Sequence, residues 1–429
     1  MSMRLGGISG CALPRPFRNS EPDGEVFMTR DRKGGKSAPA DGARVAPPDG
    51  EGLDAAEGRQ SPLAALRREI DAIDDELLTL LNRRAELSVR VGQWKRNSGQ
   101  NLAVFQPARE REVLDGLVRR NAALGGVLPN QAVEHVWREI FSSSRSLQQP
   151  LSVAFLGPKG TFSHMAALEC LGHSADMRPV NDFHTVFREV AAGRCDLGLV
   201  PLENSLHGTV GQNFDLFAEH AVHVVREHYS RITNCLMSAE ESLDHVRRVY
   251  SHPQPLGQCA GWLRAHLPGV PLVPEDSTAA AAERAAGEEG AAAIGHPGLA
   301  AMLNLRVLAA SLEDSADNWT RFVLIAPGGA EAVTGRSSLP DESLKTSLLF
   351  TVPHCPGSLA AALNVLARGG INMTKLESRP MRGAVWQYVF FVDTGCDLLH
   401  AAHQGVMNAL RAACQSVRVL GVYPHVEQG

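Results

Sequence analysis

Three cationic residues, Arg67, Arg84 and Lys95, lie in a stretch whose apolar residues recur close to every 3.6 positions. Arg84 and Lys95 are 11 residues apart, so at roughly 100° per residue they return to nearly one helix face, about 16 Å apart along the axis. Two long side chains from those points could converge on one small dianion. Arg67 precedes Arg84 by 17 residues, roughly 25 Å along and about 100° round the same helix. It is either a surface charge or a reach into the site of a second chain. Farther on, Gly157-Pro158-Lys159-Gly160-Thr161-Phe162-Ser163 is a glycine turn opening a helix, whose backbone N–H groups could hold an anion. It lacks the Walker spacing, and no Gly-x-Gly-x-x-Gly follows any strand, so a nucleotide fingerprint is missing. His164 and His252 stand alone in sequence and suit structural roles better than metal or general-acid ones.

These residues need elements to hold them. Leu66, Ile70, Ile73, Leu77, Leu80, Leu81, Leu87 and Val91 define one long amphipathic helix, started by Ser61-Pro62 with no proline to Lys95. Helical stretches at 108–124 and 131–147 complete an all-α segment, 61–150. After Pro150 the pattern becomes short apolar runs between helical stretches: 151–156, 197–200, 248–250, 291–294 and 322–325, with an alanine-rich helix at 279–286. Such alternation predicts an α/β domain over 151–330. A linker, 331–342, leads to a C-terminal domain, 343–429. There the order is strand 346–352, helix 358–368, strands 373–379 and 386–393, helix 399–413 and strand 417–423. This β-α-β-β-α-β order is the ferredoxin-like motif. Residues 1–60 are rich in Gly, Pro and charge, lack periodicity, and read as a disordered extension.

Composition limits the function classes. The 429 residues are too many for one ordinary core. The net charge of −5 implies no general attraction to nucleic acid or anionic membrane, so an anionic ligand needs local Arg and Lys clusters. Eight scattered cysteines without a Cys-x-x-Cys pair read as reduced thiols, not a disulfide framework or a zinc site. There is no run of about 18 apolar residues and no apolar leader, so a cytoplasmic protein is expected.

Three resemblances sharpen this reading. Leu66-Arg67-Arg68-Glu69-Ile70-Asp71, Asn82-Arg83-Arg84-Ala85-Glu86-Leu87, Val91-Gly92-Gln93-Trp94-Lys95, Arg109-Glu110-Arg111-Glu112 and Ser144-Arg145-Ser146-Leu147-Gln148 resemble the all-helical chorismate mutase family. The resemblance implies a homodimer, or a higher homo-oligomer, of intertwined helices in which Arg67 crosses from the partner chain. Arg67, Arg84 and Arg109 would bind the substrate carboxylates. Lys95 and Gln148 would donate to the ether oxygen, Glu110 would hold the ring hydroxyl, and Ser144 would line the site. The rearrangement is pericyclic, so it needs a held near-attack conformer and charge stabilisation, with no nucleophile. The family carries Asp three residues before the Arg109 position, where this chain has Gln106. A contact through that acid's side chain would be lost here, and one through its backbone would be kept.

Phe155 to Ser163, Val200-Pro201-Leu202-Glu203-Asn204-Ser205, Ser251 to Cys259 and Asn318-Trp319-Thr320-Arg321-Phe322 resemble the prephenate dehydratase family, a bilobed fold similar to type 2 periplasmic binding proteins. By position Thr320 would be catalytic. Thr161, Asn204, Ser251, Gln258 and Arg321 would bind substrate, with Glu203 and Arg321 in orienting roles. Pro356-Gly357-Ser358-Leu359 and Glu377-Ser378-Arg379-Pro380 resemble the ACT regulatory domain of such enzymes, where phenylalanine binds between paired domains. Gly357, lacking a Cβ, lets a ligand reach N–H groups at a helix start. Together, over 62–425, the resemblances imply conversion of chorismate through prephenate to phenylpyruvate, with phenylalanine as effector and no cofactor or metal. A dehydrogenase fusion would need the absent nicotinamide fingerprint. An arogenate dehydratase and a non-catalytic amino-acid-binding regulator are the remaining rivals.

Overall fold

The computed structural model describes residues 62–98, 103–328, 339–381 and 387–426. The expected extension 1–60, Ser61, most of the 331–342 linker and Trp386 lie outside the described residues.

Helix α1 (Pro62–Asn97) is followed by α2 (Pro107–Ala123) and α3 (Asn130–Gln148). Each boundary lies within about two residues of the periodicity, because Pro107 and the Pro129 N-cap suit helix starts. Along α1 the apolar positions stay open: Ile70, Ile73, Leu77, Leu80 and Leu81 are all exposed.

The chain then runs β1 (Ser152–Leu156), α4 (Phe162–Leu171), β2 (Asp176–Val180), α5 (Phe183–Ala191), β3 (Leu197–Asn204), β4 (Gly208–Thr209), α6 (Gly211–Glu219) and β5 (Val222–Arg231). It crosses to β6 (Cys235–Ser238), β7 (Arg248–Ser251), α7 (Pro253–Gln258), α8 (Ala260–His266), β8 (Leu272–Pro274), α9 (Thr278–Ala286), β9 (Ala291–Gly295), α10 (Pro297–Leu303) and β10 (Arg306–Ala309), and returns on β11 (Trp319–Pro327). The first sheet has the order β2-β1-β3-β11-β5, with β4 on β3; the second has β10-β6-β9-β7-β8. Strands β1, β2 and β3 are parallel, and β11 enters antiparallel between β3 and β5. Each sheet has its own core, so the segment is two α/β lobes joined by the β5–β6 and β10–β11 crossings. This is the bilobed architecture expected from the sequence.

The last elements are β12 (Leu344–Thr351), α11 (Ser358–Arg368), β13 (Met373–Pro380), β14 (Tyr388–Thr394), α12 (Gln404–Ala413) and β15 (Ser416–Pro424). They form an antiparallel sheet in the order β13-β14-β12-β15, the ferredoxin-like topology. All eight positions of β12 are buried, because the sheet is covered twice. Leu348 and Phe350 pack with α11 and α12, whereas Leu349 joins Phe391, Leu420 and Tyr423 in one core with Phe214 and Phe217 of the first lobe. Gly421 is required at this contact: a Cβ there would lie 2.0 Å from the Val224 carbonyl oxygen. No helix among the described residues is long and apolar enough to cross a membrane.

Candidate active sites

In the α/β segment the site forms where β3 and β11 pair. Asn204 and Thr320 are direct cross-strand partners, both buried. The Asn204 carbonyl Oδ1 accepts from the Leu206 and His207 N–H groups at 3.1 and 3.0 Å, an Asx-type turn that fixes which way the amide points. Its Nδ2 therefore donates, reaching Thr320 Oγ1 at 2.9 Å and Asn318 Oδ1 at 2.8 Å. With Oγ1 serving as acceptor, the hydroxyl proton of Thr320 has no acceptor among the described residues. It is a donor held ready.

From the second lobe, α7 brings Gln258 across the crevice, where its Nε2 lies 2.9 Å from His207 Nε2. A cavity of about 420 Å³ opens here, lined by Leu206, His207, Gln254, Gln258, Asp314 and Asn318 among others. The buried Nδ2 of Asn318 has no partner among the described residues. His207 and Asn318 were not singled out from sequence. Asn318 stands two positions before Thr320, on the same face by strand alternation, and that signal could have found it.

Other sequence candidates take structural places. Thr161 caps α4, with its hydroxyl donating to the Leu156 and Pro158 carbonyls. The Ser251 hydroxyl is fully buried and donates to Ile294 O at 2.7 Å. His252 caps α7, and His164 accepts from Gly160 N while stacking on Phe155, the structural roles expected of them. Arg321 was expected at the substrate, and the structure places it on the opposite face of β11 from Thr320. Its guanidinium donates to Glu227 at 3.0 Å, Asp393 at 2.6 Å and the Tyr423 hydroxyl at 3.1 Å. Burial works against the charge, but these partners hold Arg321 well above its ordinary pKa. Glu227 is driven the other way. Burial would raise it, but a hydrogen bond from His425 and the charges of Arg321 and Lys345 bring it down to about 2.

Among the helices, Gly92 of α1 lies close against α3, where a Cβ would meet Gln148 Cα at 2.9 Å. That approach brings Arg84 against the Ser144 hydroxyl, with its guanidinium over the Phe141 ring. Lys95 donates to Ala103 O at 3.0 Å, and burial lowers the pKa of both cations. Gln148 donates to Ser144 O at 3.2 Å, and its buried Oε1 has no partner among the described residues. Arg84 and Gln148 thus both bond Ser144, at its hydroxyl and its carbonyl, while Lys95 bonds the Ala103 carbonyl. Arg109 instead points outward, paired with Glu112. Glu110 is ion-paired with Arg145 and lies 3.6 Å from Arg226 of β5. Arg67 is exposed in the first turns of α1. Gln106 occupies the N-cap of α2 without a side-chain cap.

In the C-terminal sheet, Gly357 precedes α11 with a left-handed φ of 84°, and the Ser358 hydroxyl donates to Cys355 O. Leu359 is half-buried. On β13, Glu377 and Arg379 turn towards the first lobe: the Thr209 hydroxyl reaches Glu377 at 3.3 Å, and Arg379 pairs with Asp215 at 3.1 Å. Ser378 and Pro380 are exposed.

The chain matches the prephenate dehydratase family model over residues 153–329 and the type II chorismate mutase model over residues 66–149. A bifunctional chorismate mutase/prephenate dehydratase from Aquifex aeolicus is 43% identical over 363 residues, 84% of this chain and 98% of that protein. The structure of a prephenate dehydratase from Arthrobacter aurescens in complex with L-Phe is similar at 31% identity and a TM-score of 0.57, covering 64% of this chain and 90% of that one. GqqA, described as a quorum-quenching acylase, is similar at 29% identity and a TM-score of 0.57, covering 64% and 98%. Helices that gather Arg84 and Gln148, lobes that pair Asn204 with Thr320, and a match running the length of a two-activity relative place this chain in the bifunctional chorismate mutase/prephenate dehydratase family.

Proposed function

We propose that the chain makes phenylpyruvate from chorismate in two steps of phenylalanine biosynthesis, with Thr320 as the key residue of the second. In the first step, chorismate rearranges to prephenate without a nucleophile. Arg84 and Lys95 hold carboxylate and ether oxygen, and Gln148 adds a hydrogen bond as negative charge grows on that oxygen. Arg67 and Arg109 complete the carboxylate site in a homodimer, which the exposed apolar face of α1 supports. Glu110, held between Arg145 and Arg226, serves the ring hydroxyl from a fixed position.

In the second step, the bond from the ring to its carboxylate breaks and releases carbon dioxide. Its electron pair forms the last double bond of the aromatic ring, and the ring hydroxyl leaves with the C–O pair. The donor needed at that oxygen is the Thr320 hydroxyl, oriented by Asn204. Gln258 bounds the site from the second lobe, and Ser251 supports that lobe's sheet through its bond to Ile294 O. The observation that carries the reading is the Asn204–Thr320 pair with its unspent hydroxyl proton. The enzyme works in the cytoplasm, in keeping with the seven described cysteines, all free.

The C-terminal sheet is an ACT-type sensor for phenylalanine, bound near Gly357 to Leu359 and the Glu377-to-Pro380 edge. The Arthrobacter aurescens relative in complex with L-Phe supports this. Chorismate supplied to the purified chain without cofactor should yield phenylpyruvate, less when phenylalanine is added; arogenate in place of prephenate should be a poor substrate. Absence of product from both chorismate and prephenate would refute the assignment.

A further inference from the structure

Side chains of neighbouring strand residues point to opposite faces, and here that alternation divides two roles. Asn204 pairs with Thr320, and the preceding Glu203 pairs with Arg321. The first pair carries the reaction. The second pair turns towards the C-terminal sheet, where Glu203 meets Lys375 of β13 at 2.8 Å and Arg321 meets Asp393 of β14 at 2.6 Å. Each reacting residue is thus covalently next to a side chain gripped by the sensor.

The grip on β13 is regular. Lys375, Glu377 and Arg379 share one face at a spacing of two and meet Glu203, Thr209 and Asp215 of the first lobe in turn. The alternate residues Leu376, Ser378 and Pro380 are exposed. A ligand settling on this edge strand would meet a strand already bolted to the site's own strand.

We propose that Lys375, Glu203 and Arg321 are positioning residues of the dehydratase reaction, setting Asn204 and Thr320 from the sensor sheet and passing effector binding on to them. The proposal rests on the reading of that sheet as a phenylalanine sensor. A ligand that shifts β13 moves Glu203 and hence the Asn204 amide that orients the Thr320 hydroxyl. By linkage, a substrate that needs the productive geometry opposes the effector by the same factor.

The test uses the full chain and Lys375→Met, which keeps the aliphatic stem and removes the charge. Three quantities are read: dehydratase kcat and KM without effector, phenylalanine binding by calorimetry, and the half-inhibiting phenylalanine concentration. Lys375→Met should bind phenylalanine as the parent does, but lower dehydratase kcat several-fold at little-changed KM and raise the half-inhibiting concentration by about tenfold or more. The exchanged pair Glu203→Lys with Lys375→Glu should restore inhibition, a rescue that a purely structural role would not give. Unchanged inhibition in Lys375→Met overturns the proposal and leaves the sensor reading intact. Failure of the parent chain to bind phenylalanine at all overturns the sensor reading, and the proposal with it.

Discussion

The amide of Asn204 donates to the hydroxyl of Thr320 at 2.9 Å across two paired strands, while its own carbonyl is locked by the Leu206 and His207 N–H groups. This one relationship fixes which of these groups donate and which accept.

Replacing the threonine hydroxyl removes the donor and little else. Thr320→Val should lower dehydratase kcat by about 10²- to 10⁴-fold with a small change in KM, and Thr320→Ser should recover part of it. Mutase turnover, measured on chorismate in the same preparations, should not change.

Asn204→Ala has a different signature, because it strands a buried oxygen and opens a turn together. Asn318 Oδ1 and the Leu206 and His207 N–H groups would each lose a partner. Loss of about 1–3 kcal/mol for the buried Asn318 oxygen predicts a lower urea midpoint as well as lost turnover.

The two catalytic regions differed in how openly their sequences declared them. Helix α1 was legible because Leu66 to Val91 keep one period, and the C-terminal motif was legible because its six elements alternate cleanly. Strand β5 was not read as one. It carries His223, Glu227 and Tyr229, and a charged residue in a polar run reads as surface. Glu227 is buried because Arg321 and Lys345, 94 and 118 residues away, converge on it. Likewise, β2 hides behind Arg178-Pro179, a proline tolerated because the strand lies at a sheet edge. Arg321 was misplaced for a related reason: its neighbour Thr320 suggested the cleft, and only the pairing register shows that it faces away.

Glu227 gives a pH prediction with a definite sign. Its folded pKa, about 2, lies below the ordinary 4.5, so the stability it contributes is present above about pH 4.5 and lost as pH falls towards 2. Urea unfolding should show Glu227→Gln less stable than the parent at pH 7. The gap should narrow by on the order of 3 kcal/mol as the pH approaches 2.

Gln106 leaves the N-terminus of α2 uncapped by a side chain. Gln106→Asp should therefore raise the thermal midpoint, with a stabilisation of about 0.5–2 kcal/mol. Scanning calorimetry of the two proteins checks this.

The open apolar face of α1 predicts self-association. Ile73→Asp with Leu80→Asp should give a smaller species in analytical ultracentrifugation. Mutase activity should fall by at least about tenfold if a partner chain completes the site, while prephenate turnover is largely kept.

The central claim is that one chain carries both reactions and that Thr320 serves only the second. Its most direct test is the product profile of Thr320→Val supplied with chorismate. The account predicts that prephenate accumulates and phenylpyruvate does not, whereas the parent chain makes phenylpyruvate from the same substrate. Phenylpyruvate forming at the parent rate in Thr320→Val, or no prephenate from either protein, would contradict it.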